Sequence, residues 1–201
     1  EIHAESGDVQ FTDTGLSGIC IFGLSIYAAE YFARGSIGGR SYKGLSVALD
    51  CLPEWSFSEV SAYLLEMRTA YPERMAGDLL AGVVNLRVGY ALVQAAGIDP
   101  AQAAKFVAPG QLQKLAAIVK AWHFTITGTK GFQDAQITAG GVPLREVDGR
   151  TMCSRKVENL YLAGEMLNVH GDCGGHNLPF AWAAGLGAPG APRGGTPRKG
   201  G

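Results

Sequence analysis

The feature that most constrains this chain is a junction between Tyr161 and Gly185, YLAGEMLNVHGDCGGHNLPFAWAAG. The apolar run LYLAG ends in Gly164-Glu165, a glycine-rich loop follows, and an apolar helix pattern begins near Asn177. A strand apolar at nearly every position is expected where both faces are covered. Strand, glycine loop and helix in succession is the arrangement by which α/β folds hold ligands at strand carboxyl ends. Two chemistries compete for the loop. His170, Cys173 and His176 are three metal-ligand types within seven residues, but a structural zinc site takes four, and no second Cys/His pair lies nearby. Alternatively, the first N–H groups of the helix lack intrahelical partners and carry partial positive charge. Gly174 and Gly175 would let a ligand approach them without a Cβ in the way. Asn177 has N-cap chemistry, and Glu165 is an acceptor for the hydroxyls of a sugar-like chain. An ordinary tight corner with a solvated Glu165 is the third reading.

Two further glycine-rich junctions add weight to a shared cleft. TAGGV, Thr138 to Val142, follows a strand pattern, AQITAGGV, and TDTGLSG, Thr12 to Gly18, leads into an apolar helix from about Gly18 to Phe32. By itself each reads as a turn. LSVALDCLP reads as a strand ending at Pro53, and HFTITGT as a strand starting at His123. Between them the pattern is helical. SFSE is a capping box, with Ser56 and Glu59 exchanging hydrogen bonds at the start of a helix that carries Val60, Tyr63, Leu64 and Met67 on one face. A second helical region, Met75 to Ala96, stops at Gly97, a left-handed terminator. Asp99-Pro100 reads as an N-cap with proline at the first helical position. A last helix places Leu112, Leu115, Ile118, Val119 and Trp122 on its apolar side.

Composition narrows the functional classes. Of the 201 residues, 47% are hydrophobic and 17% charged, which is globular rather than disordered. A net charge of −1 offers no general attraction to nucleic acid or membrane surfaces. The apolar run ICIFGLSIYAA is too short to span a bilayer. Four separated cysteines without a C-x-x-C read as reduced thiols of a cytoplasmic protein. The chain opens on Glu1 close to a strand, and GLGAPGAPRGGTPRKGG at the end is Gly/Pro-rich and basic. The expectation is a cut through a larger protein and a flexible tail.

The segments FTDTGLSG and WHFTITGTKGFQDAQITAGGVPLREVDGRTMCSRKVENLYLAGEMLNVHGDCGGHNLPFAWAAG together resemble the C-terminal part of BaiN-like, aminoacetone-oxidase-like NAD(P)/FAD-dependent oxidoreductases. The likeness runs from about Val9 to Gly185 and is loosest in the helical middle. The resemblance implies a Rossmann-type FAD domain, an inserted β-rich domain and a helical region. It implies that Gly164, Glu165, Asn168, Gly174, Gly175, Asn177 and Leu178 line the flavin, with Gly140 and Gly141 beside the same cleft. The helix starting at Asn177 would then aim its N–H groups at the flavin's pyrimidine edge and stabilise the reduced, anionic ring. Three departures stand out. The G-x-G-x-x-G phosphate loop is absent from these residues. His176 replaces a usual tyrosine and Cys153 a usual acid. After Gly185, LGAPGAPRGG replaces a continuing helix.

The expected fold class is α+β, a piece of a Rossmann-type FAD-binding α/β flavoprotein with a helical subdomain and an incomplete sheet. Residues 1–53 would end the inserted β-rich domain and add a helix, 54–122 form the helical subdomain, 123–185 complete the FAD-binding domain, and 186–201 form the tail. The expected function is flavin-mediated hydride or electron transfer, with activity lacking and FAD binding weak or absent in these residues alone. FAD binding would need a missing N-terminal FAD-binding half. A small-molecule substrate, no nucleic acid or membrane partner, and self-association through an exposed strand edge complete the expectation. His170, His176 and Tyr161 are catalytic candidates by type only. The alternatives are a noncatalytic small-molecule or protein-binding module and a metal-binding domain using His170, Cys173 and His176.

Overall fold

The computed structural model describes residues 2–171 and 175–187. Contacts along the chain divide it into two units, one formed by Lys43–Thr127 and the other by the segments on either side, Glu1–Tyr42 and Gly128–Gly201.

The Lys43–Thr127 unit is a helical module closed by a two-stranded sheet. Strands β5 (Ser46–Leu49) and β6 (Trp122–Thr125) pair antiparallel where the chain enters and leaves, with Ser46 opposite Thr125 and Leu49 opposite Trp122. Between them run α2 (Phe57–Ala70), a 3₁₀ turn at Ala76–Leu80, α3 (Leu86–Ala95), a 3₁₀ turn at Ala104–Phe106, and α4 (Pro109–Lys120). The expected capping box forms at α2. The Ser56 hydroxyl accepts from the Glu59 amide at 3.3 Å, and the Glu59 carboxylate accepts from the Ser56 amide at 2.7 Å. Gly97, at φ 78, ends α3. Its amide bonds the Gln94 carbonyl while Ile98 bonds Val93, a Schellman pairing with its apolar contact buried. Leu64, Leu80, Leu92 and Leu115 meet at the centre with no exposed surface, each burial contributing about 1.5–3 kcal/mol before entropic costs.

Two helical expectations change in this unit. The apolar region from Met75 does not form one helix, because Ala76 and Ala104 donate to Gln102 and Arg74 and draw both segments into a bridge. Gly77 permits that path, since a Cβ there would lie 2.5 Å from the Tyr90 ring. Asp99-Pro100 opens a turn rather than a helix, with the Asp99 carboxylate accepting from the Ala101 amide. The proline at the first helical position is Pro109 instead, and Gln111 reaches back to the Ala108 amide.

The other unit is sparsely buried. A hairpin of β1 (Gln10–Thr12) and β2 (Gly15–Ser17) leads into α1 (Ile19–Arg34). A second hairpin, β3 (Ser36–Ile37) and β4 (Arg40–Ser41), turns through Gly38-Gly39, both at positive φ as such two-residue turns require. After residue 128 the regular elements are 3₁₀ turns at Leu144–Glu146 and Gly164–Met166 and helix α5 (Asn177–Gly187). The strands expected at AQITAGGV and LYLAGE reduce to isolated bridges, Val142 with Leu167 and Cys153 with Tyr161. A strand persists only where a neighbour pairs successive backbone groups, and here the neighbours pair single residues. The described residues form three two-stranded sheets joined to helices, an α+β chain without a closed sheet.

Candidate functional site

The glycine pair at 140–141 and the Gly164-Glu165 turn, far apart in sequence, meet. The amide of Val142 donates to the Met166 carbonyl, and the amide of Asn168 donates to the Val142 carbonyl, both at 2.8 Å. One side of this short parallel seam is closed by Leu167, 1% exposed. Gly141, at φ 120, sits so close that a Cβ would overlap the Met166 carbonyl oxygen. Gly140, at φ 101, has no atom of the described residues within 4 Å of its missing Cβ. Glu165 is held across the seam. Its Oε1 accepts from the Thr138 amide at 2.5 Å and from the Thr138 hydroxyl at 3.0 Å. Among the described residues, Glu165 Oε2 accepts no hydrogen bond. Gly164, at φ 72, starts the 3₁₀ turn, and α5 comes in beside it, with Ala181 Cβ 3.6 Å from the position a Gly164 Cβ would take.

The start of α5 corrects one expectation. Asn177 is the first helical residue rather than the N-cap. The first i→i−4 bond runs from Phe180 to the His176 carbonyl, so the flanking position belongs to His176. The Asn177 side chain is engaged elsewhere, accepting from the Gly171 amide at 2.8 Å. Gly175 has φ 96, with no atom of the described residues near the position its Cβ would take, and Leu178 is 63% exposed. Cys173 and Gly174 lie outside the described residues. His170, His176, Asn168 and Tyr161 are exposed, the Tyr161 backbone bridged to Cys153. Among the described residues no three His, Cys, Asp or Glu side chains gather as metal ligands.

Two contributors escaped the sequence reading. Thr138 looked like any residue before a Gly-Gly turn. Asp148 organises the segment leading to the seam, its Oδ1 accepting from the Arg150 and Thr151 amides and the Thr151 hydroxyl. The Arg150 amide, then that of Thr151, holds its carboxyl below the ordinary value. This turn sets Met152 at φ 56, where its carbonyl accepts from Leu162. The D-G-R-T run was the available signal. A shallow surface dent in the helical unit, lined by Met67, Tyr71, Arg74 and Met75 among others, has no room for a dinucleotide.

The profile of the HI0933-like protein barrel and H2TH domain matches residues 1–137. The chain belongs to the HI0933-like family. This family is of the BaiN-like flavoprotein type. Among its relatives, a 3-dehydro-bile acid delta(4,6)-reductase of Clostridium scindens is 35% identical over 181 residues, 90% of this chain and 42% of that protein. Ribosomal RNA dihydrouridine synthase of Escherichia coli is 31% identical over 91% of this chain and 43% of its own length. The enzyme of that name from Haemophilus influenzae is 27% identical over 85% and 45%. The chain thus spans less than half the length of these HI0933-like relatives. The seam at 138–142 and 164–168 lies beyond the residues matched by the family profile. No helix among the described residues is long and apolar enough to cross a membrane.

Proposed function

We propose that these residues belong to an FAD-dependent oxidoreductase, in which the seam between 138–142 and 164–168 and the start of α5 line the flavin. The observation that carries the reading is the seam that joins the Gly140-Gly141 pair to the Gly164-Glu165 turn. Among the described residues no atom stands where a side chain at Gly140 or Gly175 would begin, and Glu165 keeps one carboxylate oxygen without a partner. This donor and acceptor set fits a flat ring edge with a hydroxylated chain attached. Gly140, Gly141, Gly164 and Gly175 would admit the ring, Glu165 and Asn168 would bind hydroxyl or amide groups, and Asn177 and Leu178 would flank the ring edge; Gly174 joins this set from the family resemblance. When bound, the flavin supplies the hydride or electron pair. The relatives' names share one chemistry, since both describe saturation of a ring double bond conjugated with a carbonyl. That supports an α,β-unsaturated carbonyl compound as substrate. With 17 basic and 18 acidic residues, the chain's charge favours a small molecule over a polyanion; NADH or NADPH as reductant follows from the family resemblance, and the cytoplasm as location from the four separated cysteines.

A partner half would supply the phosphate-binding βαβ unit. Leu178, Trp182 and Leu186 recur every fourth residue on α5 and are 63%, 69% and 62% exposed, an apolar stripe that supports such a covering domain. Self-association through the same stripe is the competing occupant. The deciding experiment titrates this chain into FAD and follows flavin fluorescence. Hydrogen bonds to charged groups contribute about 1.5–3 kcal/mol each, so lacking three phosphate contacts removes roughly three or more decades of affinity. Binding by these residues alone is therefore weak, and submicromolar one-to-one binding sinks this assignment of the cofactor site.

A further inference from the structure

Thr138 spends both of its donors on one atom. Its amide and its hydroxyl converge on Glu165 Oε1 at 2.5 and 3.0 Å, across 27 residues of sequence. Two charge-assisted bonds to a single oxygen fix the carboxylate plane far better than one. Both residues are exposed, so core packing does not account for the pair. Four residues on, Val142 pairs with Met166 and Asn168. The two attachments clamp Ala139, Gly140 and Gly141 at both ends and lay Gly141 against the Met166 carbonyl.

We propose that Thr138 is a positioning residue of the flavin edge: it orients Glu165 so that Oε2 receives the hydroxyl groups of the cofactor's polyol chain. The proposal rests on the flavin reading above. It assigns Thr138 no contact with the ring itself. The hydroxyl of Thr138 is the specific element, because any residue at this position offers the amide. Valine has the same shape without the donor, and serine keeps the donor with less constraint at χ1.

The test uses the full chain, labelled with ¹⁵N, titrated with riboflavin and separately with lumiflavin, which carries a methyl group in place of the polyol chain. Thr138→Val should weaken riboflavin binding about five- to tenfold, the loss of one hydrogen bond's orienting effect on a charged acceptor, and change lumiflavin binding by less than about twofold. Thr138→Ser should restore riboflavin binding, and Glu165→Gln should reproduce the selective loss. The Thr138 amide resonance reports the pair itself and should move upfield in Glu165→Gln. Equal weakening of both flavins shows a merely structural role and overturns the proposal, as does riboflavin binding unchanged by Thr138→Val. Riboflavin binding that leaves the Thr138, Val142 and Asn168 amides unshifted, with the Thr138 amide still moved by Glu165→Gln, places the flavin elsewhere and overturns the flavin reading and this proposal with it.

Discussion

At the scale of single residues, the two glycines singled out by pattern act in opposite ways. Gly141 is needed for proximity, because its Cβ would enter the Met166 carbonyl. Gly175 meets no atom of the described residues but has a φ of 96, so a side chain there strains the backbone. Gly175→Val should therefore cost about 1–2 kcal/mol locally. Gly141→Ala should open the seam, speeding hydrogen exchange at the Val142 and Asn168 amides by tenfold or more, whereas Gly175→Val should leave those two amides protected. Equal protection in both variants would contradict the close approach at Gly141. Glu165 was readable as an acceptor at a strand end, but its anchor was not, since nothing local distinguishes Thr138 from a turn residue.

At the scale of elements, the capping box of α2 is the clearest case of local code matching local structure. Ser56→Ala removes the acceptor for the Glu59 amide and should lower stability by about 1 kcal/mol. The Ser56 hydroxyl, and next the Ser56 amide, hold the Glu59 carboxyl below its ordinary value. A lowered value in the folded state means that the ionised form is favoured by folding. The contribution is therefore present above the ordinary carboxylate range and lost as pH falls through the lowered value. The melting temperature of the unmodified chain should exceed that of Glu59→Gln near neutral pH, with the gap closing in acid. A gap that widens in acid would reverse the sign. At the far end of the module, Lys120 donates to the Leu52 carbonyl at 2.9 Å and to the Trp55 carbonyl, and pairs with Asp50 at 2.6 Å. It ties the end of α4 to the loop before α2, a long-range device with no trace in local spacing.

At the scale of the whole molecule, burial is uneven. The core cluster of fifteen residues, from Val60 to Val119, lies within Lys43–Thr127. Among the other described residues the buried apolar side chains are Cys20, Ala28, Ile37, Val147, Leu167 and Ala184. Limited proteolysis should thus leave a resistant product spanning about 43–127, since cleavage follows the local opening free energy. Leu92→Ala, at a site with no exposed surface, should cost about 2–5 kcal/mol and abolish that product. Survival of the product in Leu92→Ala, or first cleavage inside 57–119, would show that the helical core is not the stable unit.

What the sequence by itself determined is what neighbours within a few residues decide. The capping box at Ser56, the left-handed stop at Gly97, and the apolar faces of α2 and α4 were all readable because caps, turns and helical spacing act over one or two turns of chain. Only the tertiary structure decided which backbone groups find partners at a distance. It broke the Met75–Ala96 region through the bridge of Met75 with Ala103, reduced two expected strands to single bridges, moved Asn177 from cap to first helical residue, and brought Thr138 to Glu165. A strand or a latch exists only when its complement arrives, and the complement in each case lies too far along the chain for spacing to reveal it.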